Sequence, residues 1–119
     1  MSFETKEVNG VLVARINEPC LDRTRCINTV GKQLLGAVDL VGDQRKLVVN
    51  FDGVEIMTSA MLGQLVTFHK HCKRSGVAIK LCCLAPHLRE IMEITNLHRL
   101  FDIAKDDEQA IESFTRPKW

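Results

Sequence analysis

The 119-residue chain lacks the features that mark membrane, secreted and nucleic-acid-binding proteins. No apolar run approaches the roughly 20 residues that a helix needs to cross a bilayer. The opening MSFETKEV has neither the basic start nor the apolar stretch of a secretion signal. The formal net charge is only +1, whereas recognition of a phosphate backbone depends on an excess of positive charge. We therefore expect a cytoplasmic protein that neither inserts into a membrane nor binds nucleic acid.

Motifs for catalysis and for nucleotide or metal binding are also missing. The sequence contains neither G-x-x-x-x-G-K-[ST] nor G-x-G-x-x-G, the two common nucleotide-binding loops. His69 and His71 are two residues apart, whereas two zinc ligands on one helix face need a spacing near four. The five cysteines form no C-x-x-C pair, and their odd number is typical of reduced, mostly buried thiols. We expect no enzymatic activity, no cofactor and no metal.

The composition is that of one ordinary folded domain. Apolar residues make up 45% of the chain and charged residues 26%, and the length suits a single core. There is no internal repeat, low-complexity tract or linker. We expect one domain over residues 1–114 and a tail over residues 115–119, whose Trp119 either docks or hangs free.

The first half of the sequence predicts a hairpin and then a helix. Asn9-Gly10 is a strong hairpin signal, and it separates two strands predicted over residues 3–8 and 11–16. Asp22 is predicted to be the N-cap of the first helix, and Gly42 is predicted to end it. The apolar residues between them recur at helical spacing: Ile27, Val30, Leu34, Val38 and Val41.

The centre of the chain, residues 47–76, carries the candidate site. An apolar run over residues 47–51 predicts a strand buried on both faces, and an Asp52-Gly53 turn follows it. Thr58 and Ser59 then precede a helical pattern that Gly76 is predicted to end. At least one of these two hydroxyls is predicted to cap the helix, a contribution of about 1 kcal/mol. A phosphate on the same hydroxyl would lie at the positive end of the helix dipole, where it is stabilised.

The last third predicts two further strands and two further helices. The strands are expected over residues 77–84 and 100–103. Pro86 suits the first turn of one helix, and Asp106 with Gln109 resembles a capping box that begins the other. The order predicts an α/β domain with about four helices and a mixed sheet, in which an N-terminal antiparallel hairpin is followed by parallel strands.

This layout resembles the STAS domain, the fold of bacterial anti-sigma-factor antagonists and of the cytoplasmic domains of sulfate transporters. The resemblance covers about residues 3–114. Four segments carry it: Leu21-Asp22, the central LVVNFDGVEIMTSAMLGQL, GVAIKLCCLAPHLREIMEITNLHRLFDI and the closing DDEQAIESF.

The resemblance also identifies departures at the start of the central helix. Antagonists of this family typically carry Asp-Ser-Ser-Gly there, and the second serine is phosphorylated. This chain has Thr58-Ser59-Ala60-Met61, so Ser59 matches the first serine and Ala60 occupies the usual phosphorylated position. Asn50 replaces an aspartate that often ends the central strand, while Asp22 matches an acidic family position.

The resemblance implies a non-enzymatic regulatory module that binds an anti-sigma factor of the serine-kinase type, with a serine phosphatase or other STAS proteins as further partners. Ser59 and Thr58 are the phosphorylation candidates. The implied binding surface is Asp22, Arg23, Met57, Thr58, Ser59, Met61 and Gln64. Two alternatives stay open: a scaffold that binds constitutively, favoured if Met57 or Met61 is exposed, and a module that binds a nucleotide or a lipid.

Overall fold

The computed structural model describes residues 3–41 and 45–115, with residue 115 described by its backbone alone. Seven strands and four α-helices lie within these residues. The strands are β1 (Phe3–Val8), β2 (Val11–Ile16), β3 (Cys20–Leu21), β4 (Lys46–Asn50), β5 (Ile56–Met57), β6 (Ala78–Cys82) and β7 (Asp102–Ala104). The helices are α1 (Thr24–Leu40), α2 (Ser59–Ser75), α3 (Pro86–Ile94) and α4 (Asp107–Thr115), and a short 3₁₀ helix spans Leu97–Arg99.

The main sheet has five strands in the order β1-β2-β4-β6-β7. The pair β1–β2 is antiparallel, and every later pair is parallel. Asn9 and Gly10 have φ values of 52° and 81°, the left-handed conformations that a tight two-residue hairpin turn requires. The predicted α/β architecture, with a hairpin, a mixed sheet and four helices, is therefore confirmed.

Side chains on the two faces of the sheet belong to two separate apolar clusters, because neighbouring residues of a strand point to opposite faces. Val49 packs with α1, α2 and α3 in the larger cluster. Its neighbour Val48 packs with Ala110 and Ile111 of α4 in the smaller one. The sheet is therefore covered by three helices on one face and by α4 on the other.

The predicted ends of the helices are partly confirmed. Gly76 is left-handed (φ 70°), and its N–H donates to the last carbonyls of α2. Asp106 Oδ1 accepts the Gln109 N–H at 2.7 Å, so Asp106 caps α4 as predicted; Gln109 Oε1 accepts the N–H of Lys105, one residue before the position in a standard capping box. Pro86 is the first residue of α3, as predicted.

Asp22 is not the N-cap of α1, contrary to the prediction. The helix begins at Thr24, and its cap position is Arg23, which makes no side-chain cap hydrogen bond. β3 ends at Leu21, and the chain turns at Asp22 before the first helical hydrogen bond, which runs from the Ile27 N–H to Arg23 O at 2.9 Å. The predicted helix end at Gly42 and the tail residues 116–119 lie outside the described residues.

Candidate functional site

The candidate site lies at the carboxyl ends of the parallel strands, where loops and helix starts meet. In α/β sheets this edge is the usual position of binding sites. A second, two-stranded sheet organises it: β3 and β5 pair in parallel, Cys20 with Ile56 and Leu21 with Met57. Strands of two residues are too short to show a period, so they could not be recognised from the sequence pattern.

The β3–β5 pairing fixes the start of α2 beside the loop that leads into α1. Pro19 O accepts the N–H groups of both Glu55 and Ile56, at 2.7 and 2.9 Å. Leu21 O accepts the Thr58 N–H at 3.2 Å. Two exposed residues, Asp22 and Arg23, follow Leu21 directly. The pairing thus brings these two predicted site residues into one region with Thr58 and Ser59.

Thr58 occupies the N-cap position of α2, but its hydroxyl does not cap the helix. Thr58 Oγ1 donates to Leu21 O at 3.4 Å instead, and α2 has no side-chain cap hydrogen bond. The Thr58 carbonyl accepts the N–H groups of Met61 and Leu62. The predicted hydroxyl cap is therefore wrong, since the Thr58 hydroxyl is directed at the Leu21 carbonyl of β3 and accepts no hydrogen bond from the first N–H groups of α2.

The start of α2 is electrostatically suited to an anion. Its first turn contains no acidic side chain, and Thr58 provides no acceptor for the N–H groups of Ser59 and Ala60. The helix dipole places partial positive charge at this end. Ser59 and Ala60 are exposed, whereas Thr58 is only partly exposed.

Met57 and Met61 are buried, contrary to their predicted place on a binding surface. Met57 is 7% exposed and Met61 is 0% exposed. Both belong to the large apolar cluster between the sheet and α1–α3. The exposed apolar side chain at this edge is Ile56, at 47%. Strand alternation explains the exchange, since Ile56 and Met57 must point to opposite sides.

Gln64 is partly buried between the first two helices rather than fully on the surface. A Cβ added at Gly31 of α1 would lie 2.6 Å from Gln64 Oε1. Gly31 therefore makes room for the Gln64 side chain, one and a half turns beyond Ser59. Gln64 contributes to the joint between the helices as well as to the candidate surface.

The end of β4 forms a rigid turn below this surface. Asn50 is 7% exposed, and its Oδ1 accepts the Asp52 N–H at 2.8 Å. Asp52 pairs with Arg15 of β2 at 3.0 Å, with both side chains about half exposed. Asn50, at the position where the family often has aspartate, therefore has a structural role in this turn.

Within residues 3–41 and 45–115, several histidine and cysteine side chains are packed in the fold. These residues contain no group of three or more metal-ligating side chains. His69 packs edge-on against Phe101, with ring centroids 5.3 Å apart. Burial raises the pKa of the Cys72 thiol to about 12, and burial also raises the pKa of Cys82. These two thiols therefore stay protonated at neutral pH.

Comparison with known proteins identifies the family. Residues 2–110 match the model of the STAS domain, so the chain belongs to the STAS family. BtrV of Bordetella bronchiseptica, provisionally named an anti-sigma factor antagonist, is 25% identical over 117 residues, which are 96% of this chain and 95% of BtrV.

Two solved structures share the fold. An anti-sigma-factor antagonist (STAS) domain protein from Planctomyces limnophilus superimposes with a TM-score of 0.82 at 17% identity, covering 96% of this chain and 98% of that one. A provisionally named anti-sigma factor antagonist from Thermotoga maritima superimposes with a TM-score of 0.81 at 23% identity, covering 96% of this chain and 95% of that one.

In the described part of this chain, no helix is long and apolar enough to span a membrane.

Proposed function

We propose that this chain is a cytoplasmic, non-enzymatic regulatory module that binds an anti-sigma factor of the serine-kinase type. Membership of the STAS family and the names of its relatives support this class of partner. The observation that carries the proposal for the site is the exposed, uncapped start of α2, held beside the loop at Asp22 and Arg23. A serine phosphatase, which would restore the unmodified state, is the expected second partner of a switch of this kind.

The partner surface that we propose keeps five of the seven residues that the sequence indicated and replaces Met57 and Met61 with Ile56 and Ala60. It consists of Asp22, Arg23, Ile56, Ser59 and Ala60, with the exposed parts of Thr58 and Gln64. Ile56, which is 47% exposed, supplies apolar area that a partner can bury, and the buried core of an interface is more apolar than its rim. Met57 and Met61 support this surface from below because they are buried.

Ser59 is the better of the two phosphorylation candidates. It is exposed, whereas Thr58 is partly buried and its hydroxyl is engaged with Leu21 O. A phosphate on Ser59 would add roughly −1.5 to −2 charges at the positive end of α2, which favours the folded helix. The modification would therefore alter the partner surface without unfolding the domain.

The test is affinity capture from lysate of the native cell with wild-type protein and two variants, followed by mass spectrometry. Ser59→Glu places negative charge in the proposed surface. Thr67→Glu is the matched control, because Thr67 is exposed two turns further along the same helix. A kinase-like anti-sigma factor retained by wild type and Thr67→Glu, and lost by Ser59→Glu, supports both partner and switch.

A constitutive scaffold is the second candidate, and the exposed Ala60 favours it. Ala60 occupies the usual phosphorylated position and has no hydroxyl to modify. The same anti-sigma factor held equally by wild type and Ser59→Glu would leave the antagonist function and remove the switch. Retention of only other STAS proteins or transporter subunits would refute the antagonist function. Phosphopeptide mapping after incubation with the captured kinase, for wild type and Ala60→Ser, shows directly which hydroxyl is modified.

A further inference from the structure

The strand β1 lies at the edge of the main sheet, and one of its two sides is unpaired. It is the first strand in the order β1-β2-β4-β6-β7, so β2 is its only neighbour among the strands that the structure describes. Its side chains are exposed at the four central positions and partly buried at both ends. An edge strand of this kind presents a row of N–H and C=O groups to which another strand can add.

The hairpin turn determines which main-chain groups of β1 point outward. Val8 and Val11 pair across the two-residue turn, and the hydrogen bond of the turn joins them. Hydrogen-bonded and non-hydrogen-bonded pairs alternate along an antiparallel ladder, so every second residue counted back from Val8 bonds to β2. The N–H and C=O groups of the residues in between therefore point away from the sheet. These residues are Phe3, Thr5 and Glu7.

Glu4 and Lys6 carry opposite charges on one face of β1. Lys6 pairs with Val13, which packs in the smaller cluster beneath α4, so Glu4 and Lys6 lie on the α4 face of the sheet. The helix α4 packs mainly against β4, β6 and β7, which leaves this face of β1 open. Both side chains are exposed.

These charges select one register for a second copy of β1. An antiparallel pair with a two-fold axis at Thr5 places the outward-facing residues opposite one another, Thr5 against Thr5 and Phe3 against Glu7. Glu4 of each copy then lies directly opposite Lys6 of the other, at the closely spaced positions of the ladder. Moving the axis by one residue places Glu4 against Glu4, or Lys6 against Lys6, and both arrangements are destabilising.

We propose that β1 is a docking site for β1 of a second copy of this chain, in the register centred on Thr5. The two five-stranded sheets then form one continuous sheet, joined by about six main-chain hydrogen bonds. A Glu4–Lys6 pair on each side of the axis fixes the register. The proposal does not depend on the function proposed above, because neither Ser59 nor Asp22 takes part.

Analytical ultracentrifugation tests the docking, and wild type should show a monomer–dimer equilibrium. Glu4→Lys and Lys6→Glu should each weaken the dimer roughly ten-fold or more, because each places like charges opposite one another on both sides of the axis. An equimolar mixture of the two variants should dimerise again, since each altered strand then faces the opposite charges.

Two controls separate this register from an effect of net charge. The double variant Glu4→Lys/Lys6→Glu keeps the net charge and the pairing, so it should dimerise as wild type does. Glu90→Lys changes the net charge as Glu4→Lys does, but Glu90 is exposed on α3, on the other face of the sheet. Its dimer should have the dissociation constant of wild type.

Amide hydrogen exchange locates the contact on β1. The N–H groups of Thr5 and Glu7 should become protected as the protein concentration rises, whereas those of Glu4 and Lys6 should be protected at every concentration because they bond to β2. Thr5→Pro removes one outward-facing N–H, at a position where an edge strand accepts proline. This variant should stay monomeric, and far-UV circular dichroism verifies that its fold is retained.

Three results would overturn the proposal. The first is a wild-type monomer at every concentration up to about 1 mM, the weak end of the range of specific affinities. The second is a dimer that both single charge reversals leave unchanged. The third is a dimer that forms without added protection at Thr5 and Glu7, because the two copies would then meet through another surface.

Discussion

The backbone around Gly53 leaves no room for a side chain. Replacing Gly53 with alanine therefore tests how tightly the turn below the candidate site is packed. The residue follows β4 in the Asp52-Gly53 turn. A Cβ added there would lie 2.9 Å from Ile16 O and 3.1 Å from Asn17 Cα. Both atoms belong to the backbone, so no side chain can rotate away, and the loop after β2 must move.

The expected cost follows from this geometry. Inserting atoms into a packed site typically costs about 1–3 kcal/mol. Gly36 is the matched control, because it lies within α1, is exposed, and has no atom within 4 Å of an added Cβ. Alanine in a helix interior is favoured over glycine by about 0.5–1 kcal/mol. Gly53→Ala should therefore destabilise the protein, and Gly36→Ala should stabilise it.

Urea unfolding followed by circular dichroism measures both variants against wild type. We expect a difference in unfolding free energy of about 2 kcal/mol or more between them, with unchanged dependence on urea concentration. Gly53→Ala should also weaken partner binding, because the displaced turn leads directly into β5 and the start of α2. Equal stability of the two variants would refute the packing that we describe for this turn.

Four further predictions concern the cysteines, the cap of α4 and a surface ion pair. At pH 8 iodoacetamide should modify the partly exposed Cys20 and Cys26 and should spare Cys72 until the protein is denatured. The reason is that burial raises the pKa of Cys72 to about 12. Mass spectrometry of the alkylated protein measures which cysteines have reacted. Because the pKa of Cys72 is higher in the folded than in the unfolded chain, the unfolded chain loses this proton at lower pH. The free energy of unfolding should therefore fall as the pH rises from 9.0 towards 12, and urea titrations at several pH values measure this. Asp106→Ala removes the cap of α4 and should cost about 1 kcal/mol in urea unfolding, and an unchanged midpoint would contradict the cap. Arg15→Ala breaks an exposed ion pair and should change stability by less than about 1 kcal/mol, so a larger loss would show that the pair is more than a surface contact.

Most of the fold could be predicted because its signals are local. Asn9-Gly10, Gly76 and Pro86 each specify a backbone conformation through their own covalent structure, and the structure has all three as predicted. Long apolar patterns identified the strands and helices of the main layers. The β3–β5 pair was missed because its hydrogen bonds join residues about 36 positions apart, and two residues show no period.

The site was less predictable, because exposure depends on which side of a short segment faces the core. Helical spacing placed Met61 on the apolar face of α2, where it is fully buried, so its proposed place on the partner surface conflicted with that pattern. Met57 could be resolved only once β5 was known, since its pairing with Leu21 directs the side chain inward and exposes Ile56.

The hydroxyls of Thr58 and Ser59 at the start of α2 differ in their surroundings, because the β3–β5 pair lies beside Thr58. Thr58 is paired through its backbone and its side chain with Leu21, so it joins α2 to the loop that carries Asp22 and Arg23. Ser59 is exposed beside N–H groups that Thr58 does not cap. A phosphate on Thr58 would remove the side-chain hydrogen bond of this joint, whereas a phosphate on Ser59 would gain the helix dipole and leave both hydrogen bonds in place. We therefore propose that Ser59, rather than Thr58, is the residue at which a change of charge is read by a partner and not by the fold.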